Sequence, residues 1–186
     1  PSTWEVTIPQ RALELGMVPV TNIKGMVFDC AEHAINTQYP AELEIHEVRD
    51  RQGLERFTEG ILPAYEMPND FASIFYAVHD ALGYFPNLPL QVFRGDWEGR
   101  PMTGSMVFFM EETAVIQCVG THPEARGRGF AKAVVSACMQ SAKEAGYRYI
   151  VLQASDMGYP VYLSMGYEEL FTQEVYMFLP PSEEGA

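Results

Sequence analysis

The sequence has 186 residues, 47% of them hydrophobic, which suits one compact α/β domain with an appended piece. It carries 25 acidic and 12 basic residues, and the formal charge of -13 argues against nucleic acid as a partner, because nucleic-acid phosphates attract Lys and Arg. The same charge is compatible with a cationic substrate such as an amine, and the alternative is that it only keeps the protein in solution.

The cysteine and apolar patterns point to a reducing compartment. The three cysteines form no C-x-x-C pair, which predicts reduced thiols and no bound metal. The longest apolar stretch is well short of the ~20 residues that span a bilayer. The early sequence also lacks the basic start and apolar run of a signal peptide. We therefore expect a cytoplasmic protein without a membrane partner.

The first half of the chain alternates short predicted strands with amphipathic helices. Strands are predicted over residues 4–8, 24–29 and 42–48, and a short helix over residues 10–15 closes at Gly16. Apolar residues at helical spacing predict two further helices over residues 51–65 and 70–82.

The second half reads as a hairpin followed by a strand–helix–strand unit. Strands are predicted over residues 90–94 and 103–110, with a turn-rich loop at 95–99 between them, and over residues 114–119. An apolar face with steps of three and four predicts a helix that ends at Gly146. A strand over 149–153, a short helix over 160–165 and a final strand or strand pair over 169–179 complete the pattern. The central βαβ unit should have a right-handed crossover.

A glycine-rich loop precedes the helix of this βαβ unit. Unsatisfied N–H groups and the helix dipole make such a helix N-terminus a site for anions. Gly127 and Gly129 lack the side chains that would keep a pyrophosphate from the backbone, and Arg126 and Arg128 add positive charge. The dinucleotide fingerprint G-x-G-x-x-G would need a third glycine where Lys132 stands, and the triphosphatase loop would need Gly-Lys-Ser/Thr, which is absent.

The loop and a later tyrosine motif together resemble the GNAT (N-acetyltransferase) superfamily. The signature Arg/Gln-x-x-Gly-x-Gly/Ala is matched by Arg126, Gly129 and Ala131. The second motif, Tyr-x-x-x-Gly-Phe, is matched by Tyr162 and Gly166, with Tyr167 in place of Phe. The resemblance implies an α/β (α+β) GNAT fold, with a mixed central sheet flanked by helices and a short N-terminal strand–helix–strand appendage.

The predicted domain division is an appendage over residues 1–40, the GNAT domain over 41–180 and a frayed tail over 181–186. Three residues of the appendage recur 150 positions later: Leu13, Gly16 and Phe28 return as Leu163, Gly166 and Phe178. The first 40 residues are therefore interpreted as the remnant of a degenerate GNAT half, with chance similarity as the alternative.

The resemblance implies acetyl-CoA as the cosubstrate, held in a gap between the strand that ends at Val119 and the strand over residues 149–153. The residues expected to bind it are Val119, Gly120 and Thr121 along the pantetheine arm, Arg126, Gly127, Arg128, Gly129, Phe130 and Ala131 around the pyrophosphate, and Ser155 and Tyr162. Ser155 departs from the family, in which many members have an Asn that binds the cofactor arm. A hydroxyl can make one of those hydrogen bonds.

The resemblance also implies roles in catalysis. The Val119 N–H is expected to stabilise the oxyanion, and Tyr162 to protonate the departing thiolate. Glu111 and Glu112 are candidates for the base that takes the amine proton, although they lie at a strand reversal, where carboxylates are usually solvated. His122 and ordered water are the alternatives.

These residues predict an N-acetyltransferase that moves the acetyl group of acetyl-CoA to a primary amine by direct attack in a ternary complex. The expected acceptor is a small-molecule or peptide amine, and the resemblance allows a homodimer. Two other interpretations are a catalytically silent GNAT-like domain that binds CoA or a regulatory partner, and an acyltransferase with another acyl donor.

Overall fold

The computed structural model describes residues 7–178, which form a mixed sheet with helices on both faces. The helices are α1 (Thr7–Glu14), α2 (Arg51–Ile61), α3 (Ala72–Leu82), α4 (Phe130–Glu144) and α5 (Tyr159–Leu163). The strands are β1 (Val18–Asp29), β2 (Leu43–Val48), β3 (Leu90–Trp97), β4 (Arg100–Phe109), β5 (Thr113–Thr121), β6 (Tyr149–Ala154) and β7 (Glu168–Met177). Two 3₁₀ turns, Leu62–Tyr65 and Asn69–Phe71, connect α2 to α3. None of the helices in this described part is both long and apolar enough to cross a membrane.

The seven strands lie in the order β2-β3-β4-β5-β6-β1-β7. All neighbours are antiparallel except β5 and β6, which run parallel on either side of α4 in the sequence. The predicted βαβ unit and the predicted mixed sheet flanked by helices are thus confirmed.

The two larger of three apolar cores cover the two faces of the sheet. Because neighbouring side chains on a strand point to opposite faces, Met106 and Val107 of β4 are divided between the two cores. Val107 packs with the apolar face of α4, whereas Met106 packs with Phe57 and Ile61 of α2. The helices α2 and α4 therefore lie on opposite faces of the sheet.

Several predicted elements have different bounds in the structure. The loop expected at residues 95–99 is shorter, because Glu98 and Gly99 form a two-residue turn with φ of 53° and 73°, which continues both strands of the hairpin. Helix α2 ends at Ile61, because the next residues tighten into a 3₁₀ turn around Pro63. The strand expected over residues 4–8 lies mostly outside the described residues, and residues 7 and 8 begin α1.

The strand β1 lies inside the sheet, although it is first in the sequence. It pairs antiparallel with β6 on one side and with β7 on the other. The chain must then pass from this position to β2 at the opposite edge of the sheet, and it does so through residues 30–42, here called the connector. Pro40 in the connector reaches the N-terminus of α4, where its Cγ lies 3.8 Å from the position that a Cβ on Gly129 would take. The predicted tail, residues 181–186, lies outside the described residues.

Candidate active site

The strands β5 and β6 separate partway along their length. Their parallel pairing covers residues 113–116 and 149–152 only, although β5 continues to Thr121 and β6 to Ala154. A β-bulge in β5 accompanies the separation: Met106 pairs with Gln117 and Gly104 with Gly120, so that one residue of β4 opposes two of β5. Since a bulge bends the strand that contains it, β5 turns away from β6 and opens a cleft.

A cavity of about 700 Å³ occupies this cleft. Its walls come from four segments: the end of β5, the glycine loop with the start of α4, the turn before α5 with α5 itself, and the 3₁₀ turn after α2. The residues that line it are Ala64, Tyr65, Val119, Gly120, Thr121, Ala125, Arg126, Gly127, Gly129, Phe130, Ala131, Lys132, Ser155, Met157, Gly158, Val161 and Tyr162. A cavity of this size is within the usual range of small-molecule sites.

Gly120 lets the 3₁₀ turn approach the cavity wall. A Cβ on Gly120 would lie 2.8 Å from Cγ1 of Ile61 and 3.0 Å from Cβ of Ala64, closer than carbon atoms normally pack. Its carbonyl oxygen accepts a hydrogen bond from the Thr103 hydroxyl at 2.8 Å. The absence of a side chain at this position therefore brings Ala64 and Tyr65 to the mouth of the cavity.

The glycine loop lines the cavity and has backbone amides without partners in the described part of the chain. Gly127 and Gly129 have φ of 78° and 81°, a left-handed conformation that favours glycine. The N–H groups of residues 127–132 have no hydrogen-bond acceptor among the residues that the structure describes, and residues 126–129 are exposed. Six consecutive free amides at the N-terminus of a 15-residue helix fit a pyrophosphate.

The two arginines of the loop have different surroundings. The Arg126 guanidinium lines the cavity and donates to the backbone oxygens of Thr121 at 3.3 Å and Ala64 at 3.2 Å, so it ties the loop to β5 and to the 3₁₀ turn. The Arg128 guanidinium instead stacks over the Trp97 ring, with its central carbon 4.2 Å from the ring centroid. Arg126 is thus the loop arginine that borders the cavity.

Tyr162 lies at the inner end of the cavity. Only 6% of its surface is exposed, and burial raises the pKa of its phenol to about 12. The side chain therefore keeps its proton throughout the neutral and moderately alkaline range. Gly158 makes room for the ring, because a Cβ there would lie 2.9 Å from Cε2 of Tyr162. Ser155 lies next to Gly158, and its Oγ accepts a hydrogen bond from the Gly158 N–H at 3.3 Å.

Tyr65 also borders the cavity, although its role could not be assigned from sequence. Its hydroxyl donates to the Val119 carbonyl oxygen at 2.9 Å, and burial raises the pKa of the phenol above its ordinary value. The signal in the sequence was a cluster of aromatic residues around the two early helices. That cluster does not distinguish a cavity wall from a core.

The candidate bases are not in the cavity. Glu111 and Glu112 precede β5, whereas the cavity lies at its other end, about 25 Å along the strand at 3.3 Å per residue. His122 uses Nδ1 to accept a hydrogen bond from the Glu124 N–H at 3.3 Å, as the cap of a short 3₁₀ turn. Among residues 7–178, no Asp, Glu or His lines the cavity, and none of the described side chains forms a cluster that would hold a metal ion.

The segment that forms most of the cavity wall matches the sequence model of a known family. Residues 111–170 match the sequence model of the family described as the acetyltransferase (GNAT) domain. This segment contains β5, the glycine loop, α4, β6 and α5, and so includes most of the cavity wall. The resemblance found in the two motifs is confirmed.

Solved structures show the same fold over nearly the whole chain. A GCN5-related N-acetyltransferase from Kribbella flavida superposes with a TM-score of 0.66 at 18% identity, covering 89% of this chain. A GCN5-related N-acetyltransferase from Sphaerobacter thermophilus superposes with a TM-score of 0.69 at 18% identity, covering 91%. A tandem GNAT protein from the clavulanic acid biosynthesis pathway gives 0.65 at 14% identity, covering 91%. The described chain therefore has the GNAT fold.

These related structures are longer than this chain. The matches cover 61%, 55% and 57% of their respective lengths. No curated protein matches the sequence.

Proposed function

We propose that this protein transfers the acetyl group of acetyl-CoA to a primary amine, by direct attack of the amine in a ternary complex. The observation that carries the proposal is the row of free amides at residues 127–132, which opens into a cleft between two separated strands and ends at a buried tyrosine. The GNAT domain match over residues 111–170 supports the same reaction class.

The residues around the cavity fit the parts of CoA in order. The free amides, with Arg126 and Lys132 nearby, suit the pyrophosphate, because both the helix dipole and the side-chain charges favour an anion there. The backbone of β5 from Val119 to Thr121 lines the cavity beyond the last pairing with β6 and suits the amide groups of the pantetheine arm. Acetyl-CoA supplies an acyl group on a good thiolate leaving group.

Tyr162 is proposed to protonate that leaving group. In the transfer, the amine nitrogen forms a bond to the acetyl carbon, the carbon–sulfur bond breaks, and the sulfur takes a proton from the Tyr162 hydroxyl, which regains a proton from water before the next turnover. The raised pKa of Tyr162, about 12, keeps the donor protonated before the reaction. The Val119 N–H, at the bulge of β5, is proposed to stabilise the oxyanion.

The amine proton is proposed to leave through water. The cavity opens to solvent, and among the described residues no carboxylate or imidazole borders it. An amine that is already partly neutral at the working pH therefore suits the site. We propose a small-molecule or peptide amine as the acceptor, which the net charge of -13 would attract as a cation before it loses its proton.

The first experiment measures binding of acetyl-CoA by the shift in melting temperature. A ligand at 100 times its Kd stabilises the folded state by about 2.7 kcal/mol, which is a shift of several degrees. Gly127→Asp should abolish the shift, because a carboxylate would repel the pyrophosphate from the free amides. Gly146→Asp is the matched control: it also has a left-handed glycine with no atom within 4 Å of its Cβ position, but it lies at the other end of α4.

The second experiment measures release of free CoA in the presence of a panel of amines, which includes polyamines, aminoglycosides, amino sugars and peptide N-termini. Turnover with at least one amine supports the proposal. If the protein does not bind acetyl-CoA, the assignment of acetyl-CoA as the cosubstrate is refuted. A protein that binds acetyl-CoA but releases no CoA with any amine would refute amine acetylation and favour a silent CoA-binding domain.

A further inference from the structure

The 3₁₀ turn after α2 places Tyr65 against the two groups that are proposed to act on the thioester. The Tyr65 hydroxyl donates to the Val119 carbonyl oxygen at 2.9 Å, and its side chain lines the same cavity as Tyr162. Burial raises the pKa of the Tyr65 phenol, and negative charge on the nearby Cys118 and Tyr162 raises it further. Tyr65 therefore borders the part of the cavity in which the thioester is proposed to lie.

The Tyr65 ring fills space that Gly120 leaves open on β5. A Cβ on this glycine would lie 2.8 Å from Ile61 Cγ1, 3.0 Å from Ala64 Cβ and 3.3 Å from Cε2 of the Tyr65 ring. Ile61 is buried in the core and Ala64 has only a methyl group, whereas Tyr65 is 44% exposed. Of these three side chains, Tyr65 therefore presents the largest surface to a group bound in the cavity.

Several contacts hold the ring in this position. The ring packs over Gly120, and its hydroxyl is bonded to the strand at Val119. The backbone oxygen of the preceding residue, Ala64, accepts a hydrogen bond from the Arg126 guanidinium at 3.2 Å. Because the backbone and the far end of the side chain are both tied down, the ring is a fixed part of the cavity wall.

We propose that Tyr65 limits the acyl group of the cosubstrate to acetyl, because its ring closes the space into which a longer acyl chain would extend. The inference rests on the proposed function, in which the thioester lies between Val119 and Tyr162. A longer acyl chain continues from the position of the acetyl methyl group. One methylene group in a hydrophobic pocket changes discrimination by about 10- to 200-fold. A fixed ring at this position is therefore sufficient to exclude longer donors.

The experiment measures the Kd of acetyl-CoA and of butyryl-CoA by isothermal titration calorimetry, so no acceptor amine is needed. The wild-type protein should bind acetyl-CoA at least about tenfold more tightly than butyryl-CoA, because the longer chain meets the ring. Tyr65→Ala should bind butyryl-CoA at least as tightly as acetyl-CoA. Its smaller side chain leaves room for the longer chain, whose added methylene groups favour binding when they are buried.

Two control variants separate the volume of the ring from other effects. Tyr65→Phe keeps the ring over Gly120 and should keep most of the preference for acetyl-CoA. Tyr147→Ala is the matched control: the Tyr147 hydroxyl also donates to a backbone oxygen, that of Met110 at 2.8 Å, but Tyr147 does not line the cavity. This variant should keep the full preference.

Melting temperatures without ligand identify any variant that has lost its fold. If Tyr65→Ala does not fold, Tyr65→Leu replaces it in the test. Leucine is also smaller than tyrosine, and it keeps an apolar side chain over Gly120. Tyr65→Leu should therefore reduce the preference for acetyl-CoA as well.

The outcomes separate this inference from the proposed function. If acetyl-CoA does not bind to the wild-type protein, the cosubstrate assignment itself is wrong. If acetyl-CoA binds, but butyryl-CoA binds equally or more tightly, the inference is refuted and the cosubstrate assignment stands. If Tyr65→Ala keeps the wild-type preference, or if Tyr65→Phe loses it as fully as Tyr65→Ala, the volume of the Tyr65 ring does not set the acyl length and the inference is likewise refuted.

Discussion

Replacing Gly158 with alanine should move Tyr162 without removing it. Gly158 has φ of -79° and ψ of -29°, which alanine adopts readily, so the backbone tolerates the change. The added Cβ would nevertheless lie 2.9 Å from Cε2 of Tyr162. Carbon atoms pack at about 3.5 to 4.0 Å, and the ring must therefore shift by about 0.6 to 1 Å.

The substitution should change the stability of the protein slightly and its turnover strongly. Alanine for glycine stabilises the folded state by about 0.4 to 1 kcal/mol through the unfolded chain, whereas crowding of a packed site costs about 1 to 3 kcal/mol. The free energy of unfolding should therefore fall by less than about 3 kcal/mol. If Tyr162 protonates the thiolate, a displacement of about 1 Å should lower kcat about 100-fold.

A double-mutant cycle provides the assay. The kcat of CoA release is measured for the wild-type protein, Gly158→Ala, Tyr162→Phe and the double variant, with the Kd of acetyl-CoA as a control for binding. If Gly158→Ala lowers kcat by displacing the Tyr162 hydroxyl, it should not lower kcat further in the Tyr162→Phe background, where that hydroxyl is absent. An unchanged kcat in Gly158→Ala, or two fully additive effects, would show that the position of the Tyr162 hydroxyl does not matter for turnover.

Three other predictions concern the same region. Tyr167→Phe should raise the free energy of unfolding by about 1 kcal/mol in urea titrations, because the Tyr167 hydroxyl is buried without a partner among the described residues; a loss of stability would refute this. Burial raises the pKa of Cys138 from 9.0 and that of Tyr162 from 10.0 to about 12, so the unfolded chain loses these two protons at lower pH than the folded protein does. The free energy of unfolding should therefore fall between about pH 9 and 12, by about 1.4 kcal/mol per pH unit for each of the two groups. Cys138→Ala should make this decline less steep, and an unchanged slope would contradict the prediction. Ser155→Asn should lower the KM for acetyl-CoA about threefold to tenfold by adding one hydrogen bond at the cavity, and an unchanged KM would place the arm elsewhere.

Local sequence patterns were sufficient for most of the regular elements and for the glycine loop. The apolar face of α4 and the adjacent glycines are readable because helical spacing and left-handed turns are local properties of the chain. The bulge at Cys118, where φ is 53°, has no local signature of this kind. It depends on the pairing with β4, and so the opening of the cleft was implied only by resemblance.

The local sequence determined the glycine turn before α4 and the helix that follows it, because each depends on residues within a few positions of one another, whereas the class of fold and the place of Tyr162 were implied by the resemblance. Tertiary structure alone decided where the first strand lies and which side chains meet. In the sheet, β1 lies between β6 and β7, so the connector passes α4. Glu111 and Glu112 precede β5, whereas the cavity with Tyr162 lies at the other end of this strand, so these carboxylates are far from Tyr162. These outcomes depend on contacts between residues more than 100 positions apart, such as Asp29 with Arg148, which no local pattern encodes.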